Sequence, residues 1–180
     1  MKKVNIALLF FVLLWGLSVK AQQQTQLFRF VHLSQSSNLK MALMHKLSSH
    51  EVELKELQSE EFSETTGYLQ ACILKRIGTE KGRVLIASAK APEYFLQYDA
   101  SSNSLKFLKI APGADLEPYT WELILNKESD TKYVALQSAV GSRLAVKVLP
   151  SNELELSSRA VDTALDQRFS FQLEKMSNVF

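Results

Sequence analysis

The feature that most constrains this chain is an internal repeat with a period of about 50 residues, because self-similarity at a fixed spacing fixes architecture before any local detail does. Three polar turns run into apolar-alternating segments: Ser48-Ser49-His50-Glu51-Val52-Glu53-Leu54, Ser101-Ser102-Asn103-Ser104-Leu105-Lys106-Phe107 and Pro150-Ser151-Asn152-Glu153-Leu154-Glu155-Leu156. Turn formers followed by a period-2 pattern predict a turn and a half-buried strand in each copy. A second set aligns Tyr68 to Leu74 with Tyr119 to Leu125 and with Phe169 to Leu173. Tyr119, Trp121, Leu123 and Leu125 are expected to face one way, as are Phe169, Phe171 and Leu173. In the first copy Gln70 stands where an aromatic is expected.

A third set opens each unit: Phe30 to Leu33, Val84 to Ser88 and Tyr133 to Ser138. A second apolar pair follows in each, Leu39 with Met41, Phe95 with Leu96 and Leu144 with Val146. Each unit therefore reads as four strands, with longer loops at 58–67, 111–118 and 157–167. Leu39, Leu43, Leu47, Leu54 and Leu57 also fall at helical spacing. The agreement with the other two copies, which carry Pro112, Pro118 and Pro150 among β-formers, decides for strands.

The first 21 residues stand apart. Lys2 and Lys3 precede an apolar run to Leu17, and Val19 and Ala21 are the small residues that a signal peptidase reads. The expectation is a secretory signal peptide at 1–21 and a flexible lead-in at 22–27. A single domain follows over 28–180, with repeats at about 28–78, 79–130 and 131–178. The product is expected to be secreted, or periplasmic if the source is a Gram-negative bacterium. It is also expected to be monomeric, with no membrane insertion of the mature chain. Without Lys2, Lys3 and Lys20, eighteen basic side chains face nineteen acidic ones. That balance offers no electrostatic footprint for nucleic acid.

Cys72 is the sole cysteine, so no internal disulfide is available. Its apolar setting predicts a buried small hydrophobe, with an intermolecular bond as the alternative. His32, His45 and His50 show no paired metal-ligand spacing, and no G-x-S-x-G elbow or Gly-rich phosphate loop occurs. The carboxylates between Glu51 and Glu64 alternate with polar residues as a solvated face does. No cofactor is implied, and catalysis is not expected. Tyr94, Tyr98 and Tyr119 are placed near turns, where a ring with a hydroxyl suits either a protein partner or a sugar. With Asp99 they form the expected ligand-binding set.

Twelve strands in three such units resemble the β-trefoil superfamily, all-β, a barrel capped by hairpins. Within it, Ser88-Ala89-Lys90-Ala91-Pro92-Glu93-Tyr94-Phe95-Leu96 is similar to the signature of interleukin-1-like cytokines. Here it sits in the second unit, whereas that family carries it in the last. Gln167-Arg168-Phe169 is similar to the Gln-x-Trp of ricin-type lectins. Lys40, Gln97 and Ala145 stand where those lectins usually place an Asp. The resemblance implies a recognition module that presents loops to an extracellular protein partner, receptor-like, through a cytokine-like surface. A ricin-type carbohydrate-binding module that takes a glycan is the alternative, and a protease inhibitor of the Kunitz trefoil type is a further one.

Overall fold

A computed structural model of the chain describes residues 25–57, 67–79, 82–125, 133–141, 144–158 and 166–176. The expected signal segment, half of the lead-in and parts of two long loops lie outside these residues. The strands are β1 (Leu27–Leu33), β2 (Lys40–Lys46), β3 (Val52–Glu56), β4 (Tyr68–Leu69), β5 (Cys72–Arg76), β6 (Arg83–Ser88) and β7 (Tyr94–Asp99). They continue as β8 (Ser104–Lys109), β9 (Thr120–Leu125), β10 (Tyr133–Ser138), β11 (Leu144–Val148), β12 (Leu154–Ser158) and β13 (Phe171–Met176). The helical alternative over the first unit is absent: β2, a turn and β3 occupy that stretch. Among the described residues no helix is long and apolar enough to cross a membrane.

Six strands close a ring in the order β1, β5, β6, β9, β10 and β13, every neighbour antiparallel and β13 returning to β1. Closure leaves no free edge in the ring, which is how a small antiparallel sheet avoids templating aggregation. Six of the other strands form the hairpins β2–β3, β7–β8 and β11–β12, each attached to the first strand of its own unit, and the short β4 pairs with β2.

The register makes the three units superposable position by position. Phe28 pairs with Cys72, Val84 with Trp121, and Val134 with Phe171. In the hairpins, Leu43 faces Leu54, Leu96 faces Phe107, and Val146 faces Leu156. Phe30, Ile86 and Leu136 occupy one equivalent level inside the barrel, all buried beside Trp121 and Phe171. Each such side chain contributes about 1.5–3 kcal/mol over leaving it exposed. In a chain without a disulfide this layer and the hairpin residues packed with it supply the stabilising core.

The turn expected in each repeat is present, and its pivotal residues are equivalent. His50, Asn103 and Asn152 have φ of 59°, 46° and 65°. Asparagine tolerates this left-handed conformation better than most residues.

Three expectations are corrected. The fourth strand of the first unit is aligned two residues late: Cys72, not Gln70, occupies the place of Trp121 and Phe171. Leu125 does not share the inward face of Trp121, since it lies at the end of β9 and is 63% exposed. Leu27 belongs to the domain and not to the lead-in, because it pairs with Met176 and is buried.

Candidate functional site

The equivalence of the three units makes their differences informative. One position in each hairpin faces the third strand just before the turn: His45 opposite Val52, Tyr98 opposite Leu105, and Val148 opposite Leu154. In the first unit His45 fills this place completely. Its Nδ1 lies 3.0 Å from Ser88 Oγ and its Nε2 3.1 Å from His50 Nδ1. Its ring stacks on Phe107 at 4.4 Å, while Tyr94 covers His50 at 4.3 Å and the Lys109 ammonium sits 4.9 Å above Tyr94. Burial, helped by the neighbouring His50, lowers the His45 pKa to about 4, so the ring is neutral at pH 7. In the second unit Tyr98 fills the place, its hydroxyl donating to Asn103 Oδ1 at 3.4 Å.

In the third unit the side chain is only Val148, and a pocket of about 240 Å³ opens there. Its floor and one wall come from the first unit: His32, Ser34, Gln35 and Ser36. The opposite wall is Val148, Leu149, Pro150 and Asn152, and Arg168 closes one side. Two tight turns present these groups. Asn38, at φ 55°, closes the first, with Ser34 N–H donating to the Leu39 carbonyl at 2.9 Å. Asn152 closes the second, donating its N–H to the Leu149 carbonyl at 2.8 Å.

The polar atoms of the pocket have definite roles. Ser34 Oγ donates to Asn152 Oδ1 at 3.1 Å, which joins the first unit to the third. That bond uses the only hydroxyl proton of Ser34, so Ser36 Oγ, also 3.1 Å away, is the donor to Ser34. His32 Nδ1 lies 3.0 Å from the Ser170 carbonyl. A carbonyl only accepts, so Nδ1 carries the proton and Nε2 is the acceptor of the neutral ring. Burial keeps the His32 pKa below its ordinary 6.5 despite that bond. Arg168 is held by Asp166, with Nε–Oδ2 at 3.0 Å and Nη2–Oδ2 at 2.5 Å. The same pairing holds the Asp166 carboxyl below the usual range.

No known protein family matches the sequence, and no curated protein is similar to it. Solved structures are similar. The designed 3-fold symmetric protein ThreeFoil matches with a TM-score of 0.55 at 14% identity, over 81% of this chain and 96% of that one. The fold is a β-trefoil. SeviL, solved bound to asialo-GM1 saccharide, matches at 0.57 and 12% identity, over 85% of this chain and 100% of that one. Cry35Ab1 matches at 0.61 and 10% identity over 87% of this chain, which spans only 37% of that longer protein. At such identities the likeness concerns the trefoil fold alone.

Of the four residues expected from sequence to bind a ligand, Tyr94, Tyr98 and Asp99 share β7 and Tyr119 ends a short helical turn packed against it, but none of them lines the pocket. Tyr98 and Tyr119 are each only 8% exposed, so most of each ring packs the body. Asp99 is engaged by its own turn, accepting from Ser101 N–H and from the hydroxyls of Ser101 and Ser102. These bonds hold its carboxyl down to about 2. Tyr94 is half-buried against His50. Ser88 and Leu96, part of the stretch similar to the cytokine signature, are fully buried core positions.

The residues that do line the pocket were passed over in the sequence. A signal was available: a small Val148 stands where the other two copies carry His45 and Tyr98. The described carboxylates of the acidic stretch behave as a solvated face, with Glu53 paired to Lys46 and Lys55. Among the described residues no group of three His, Cys, Asp or Glu could hold a metal ion.

Proposed function

We propose that this β-trefoil is a non-catalytic recognition module that binds a glycan, acting outside the cytoplasm after loss of residues 1–21. The observation that carries the reading is the pocket between the first and third units. Hydroxyl and amide groups from two tight turns, with the His32 imidazole at the end of β1, converge there on a concave space. Small-molecule sites combine a formed concavity with a few fixed polar groups in this way. The saccharide-bound trefoil SeviL supports the same class of ligand. The chemistry speaks against turnover. Ser34 gives its proton to an amide oxygen, which is no base, and the pocket lining contains no carboxylate pair for glycoside hydrolysis.

A protein partner engaged through the loops, the cytokine-like reading, is the second possibility. It is favoured by Leu33 and Leu39, 40% and 42% exposed on either side of the first turn. A glycan array separates the two. Signal on a defined set of sugars, competed by the free sugar, supports the first reading. A silent array, together with capture of one protein insensitive to free sugars, replaces it with the second.

A further inference from the structure

We infer that, of the three equivalent places of the trefoil, only the one at the junction of the third and first units is a ligand site, and that its ligand is one uncharged, ring-sized polyol such as an unsubstituted neutral hexose. The inference deepens the glycan reading and rests on it.

The number of sites follows from the filling of three equivalent places. His45, with Ser88, His50 and Tyr94, closes the place in the first unit, and every one of these groups is engaged with another. Tyr98, tied to Asn103, closes the second. Val148 lacks the atoms to reach across, and Asn152 turns instead to Ser34 of the first unit. The fold supplies three frames, and side-chain size leaves one open.

The size of the ligand follows from the volume. About 240 Å³ is below the roughly 300–1,000 Å³ of pockets that enclose drug-sized molecules. One ring fits, with any remaining chain leaving through the mouth at Gln35 and Ser36, both exposed.

The charge of the ligand follows from pairing. Arg168 is the cationic side chain in the lining, and the Asp166 carboxylate already offsets it. His32 is neutral, its Nδ1 proton committed to Ser170 and its Nε2 an acceptor. No carboxylate lines the pocket to receive a cation. An anionic sugar would compete with Asp166 for Arg168, and a cationic one would meet no counter-charge. What remains is three acceptors beside one donor: His32 Nε2, the Ser34 and Ser36 oxygens whose own protons are committed, and the Asn152 side-chain N–H. Vicinal hydroxyls, each donor and acceptor at once, match it.

The test is titration of the purified protein, followed by amide chemical shifts, with galactose, glucose and mannose as neutral probes. N-acetylneuraminic acid is the anionic probe and glucosamine the cationic one. A neutral hexose is expected to saturate at one equivalent per chain. It should shift Ser34 to Ser36 and Asn152, leave Ser88 and Ser138 unmoved, and bind equally at low and high salt. Asn152→Gly keeps the left-handed turn and removes the amide, and should weaken binding about tenfold, the factor worth one hydrogen bond of about 1.4 kcal/mol. Ser36→Trp, at an exposed turn, should abolish binding without disturbing the core.

Preference for a charged probe, three equivalents at saturation, or binding that survives Ser36→Trp would each overturn the inference while an active glycan array leaves the general reading standing. A silent array with no shift for any probe removes both.

Discussion

His45 Nε2 and His50 Nδ1 meet at 3.1 Å, one ring buried and the other half-buried, so one of the two facing nitrogens must be unprotonated. The pair ties β2 to the turn of the first hairpin and anchors that hairpin to the second unit through Ser88 and Phe107. Protonating both rings would replace a hydrogen bond with two like charges in a poorly solvated place. The second unit makes the equivalent bond from Tyr98 to Asn103, with no histidine in the pair.

Acid should therefore loosen this domain before its carboxylates do. The His45 pKa is about 4 in the folded protein against an ordinary 6.5. Between these values the unfolded chain binds more protons, so stability is whole above pH 6.5 and declines as pH falls towards 4. The full shift corresponds to about 3 kcal/mol. His32 is lowered too and acts in the same direction. The double variant His45→Tyr/His50→Asn copies the second unit and should flatten the decline. Urea midpoints at pH 7.5 and pH 4.5 measure it, and equal losses in both proteins would refute the assignment.

The barrel was readable in the sequence because its strands alternate and its turns carry serine and asparagine at repeated positions. The slip in the first unit has a physical cause. Moving a strand by two residues keeps every side chain on its own face, so alternation cannot detect the error. Only a pairing such as Cys72 with Phe28 resolves it. The pocket was not readable for a different reason. His32 to Ser36 and Val148 to Asn152 lie more than a hundred residues apart and meet only when the ring closes. Tyrosine near a turn suggests a surface anchor, but Tyr98 and Tyr119 satisfy the core with the same apolar ring.

Cys72 should be silent in the native protein. The thiol is 5% exposed, donates to the Phe28 carbonyl at 3.4 Å, and has its pKa pushed up to about 12 by burial. The thiolate is the reactive form, and almost none exists at neutral pH. An aromatic disulfide reagent should release its chromophore only as fast as the domain opens, and promptly in denaturant. Rapid stoichiometric release without denaturant would contradict the burial and revive the intermolecular disulfide.

Trp121 should be sensitive to a change as small as Phe. It is fully buried, and its Nε1 donates to the Leu96 carbonyl at 2.9 Å, linking barrel to hairpin in the second unit. Trp121→Phe leaves that carbonyl without its donor and a gap where the second ring stood. Each effect costs about 1–3 kcal/mol. Phe already serves at the equivalent Phe171, so the ring itself is compatible with the place. The denaturation midpoint should drop clearly while the strand signature in circular dichroism persists. A loss below about 0.5 kcal/mol would show that the bond contributes nothing net.

The left-handed turns offer the sharpest comparison, because one position can be tested with two nearly equal substitutions. Asn103 has φ 46° at the tip of β7–β8, where it also accepts from Tyr98. Asn103→Ala and Asn103→Gly both remove that acceptor, so the loss of the hydrogen bond cancels between them. What differs is the backbone. Alanine brings a Cβ into a conformation that disfavours it by about 1–2 kcal/mol, whereas glycine has no such clash but is freer in the unfolded chain by about 0.4–1 kcal/mol. Alanine should be the less stable variant by up to about 1 kcal/mol in urea denaturation. If alanine proved equal or better, the turn would have to relax out of the left-handed region at little cost. The shared geometry of His50, Asn103 and Asn152 would then not be a requirement of the three hairpins.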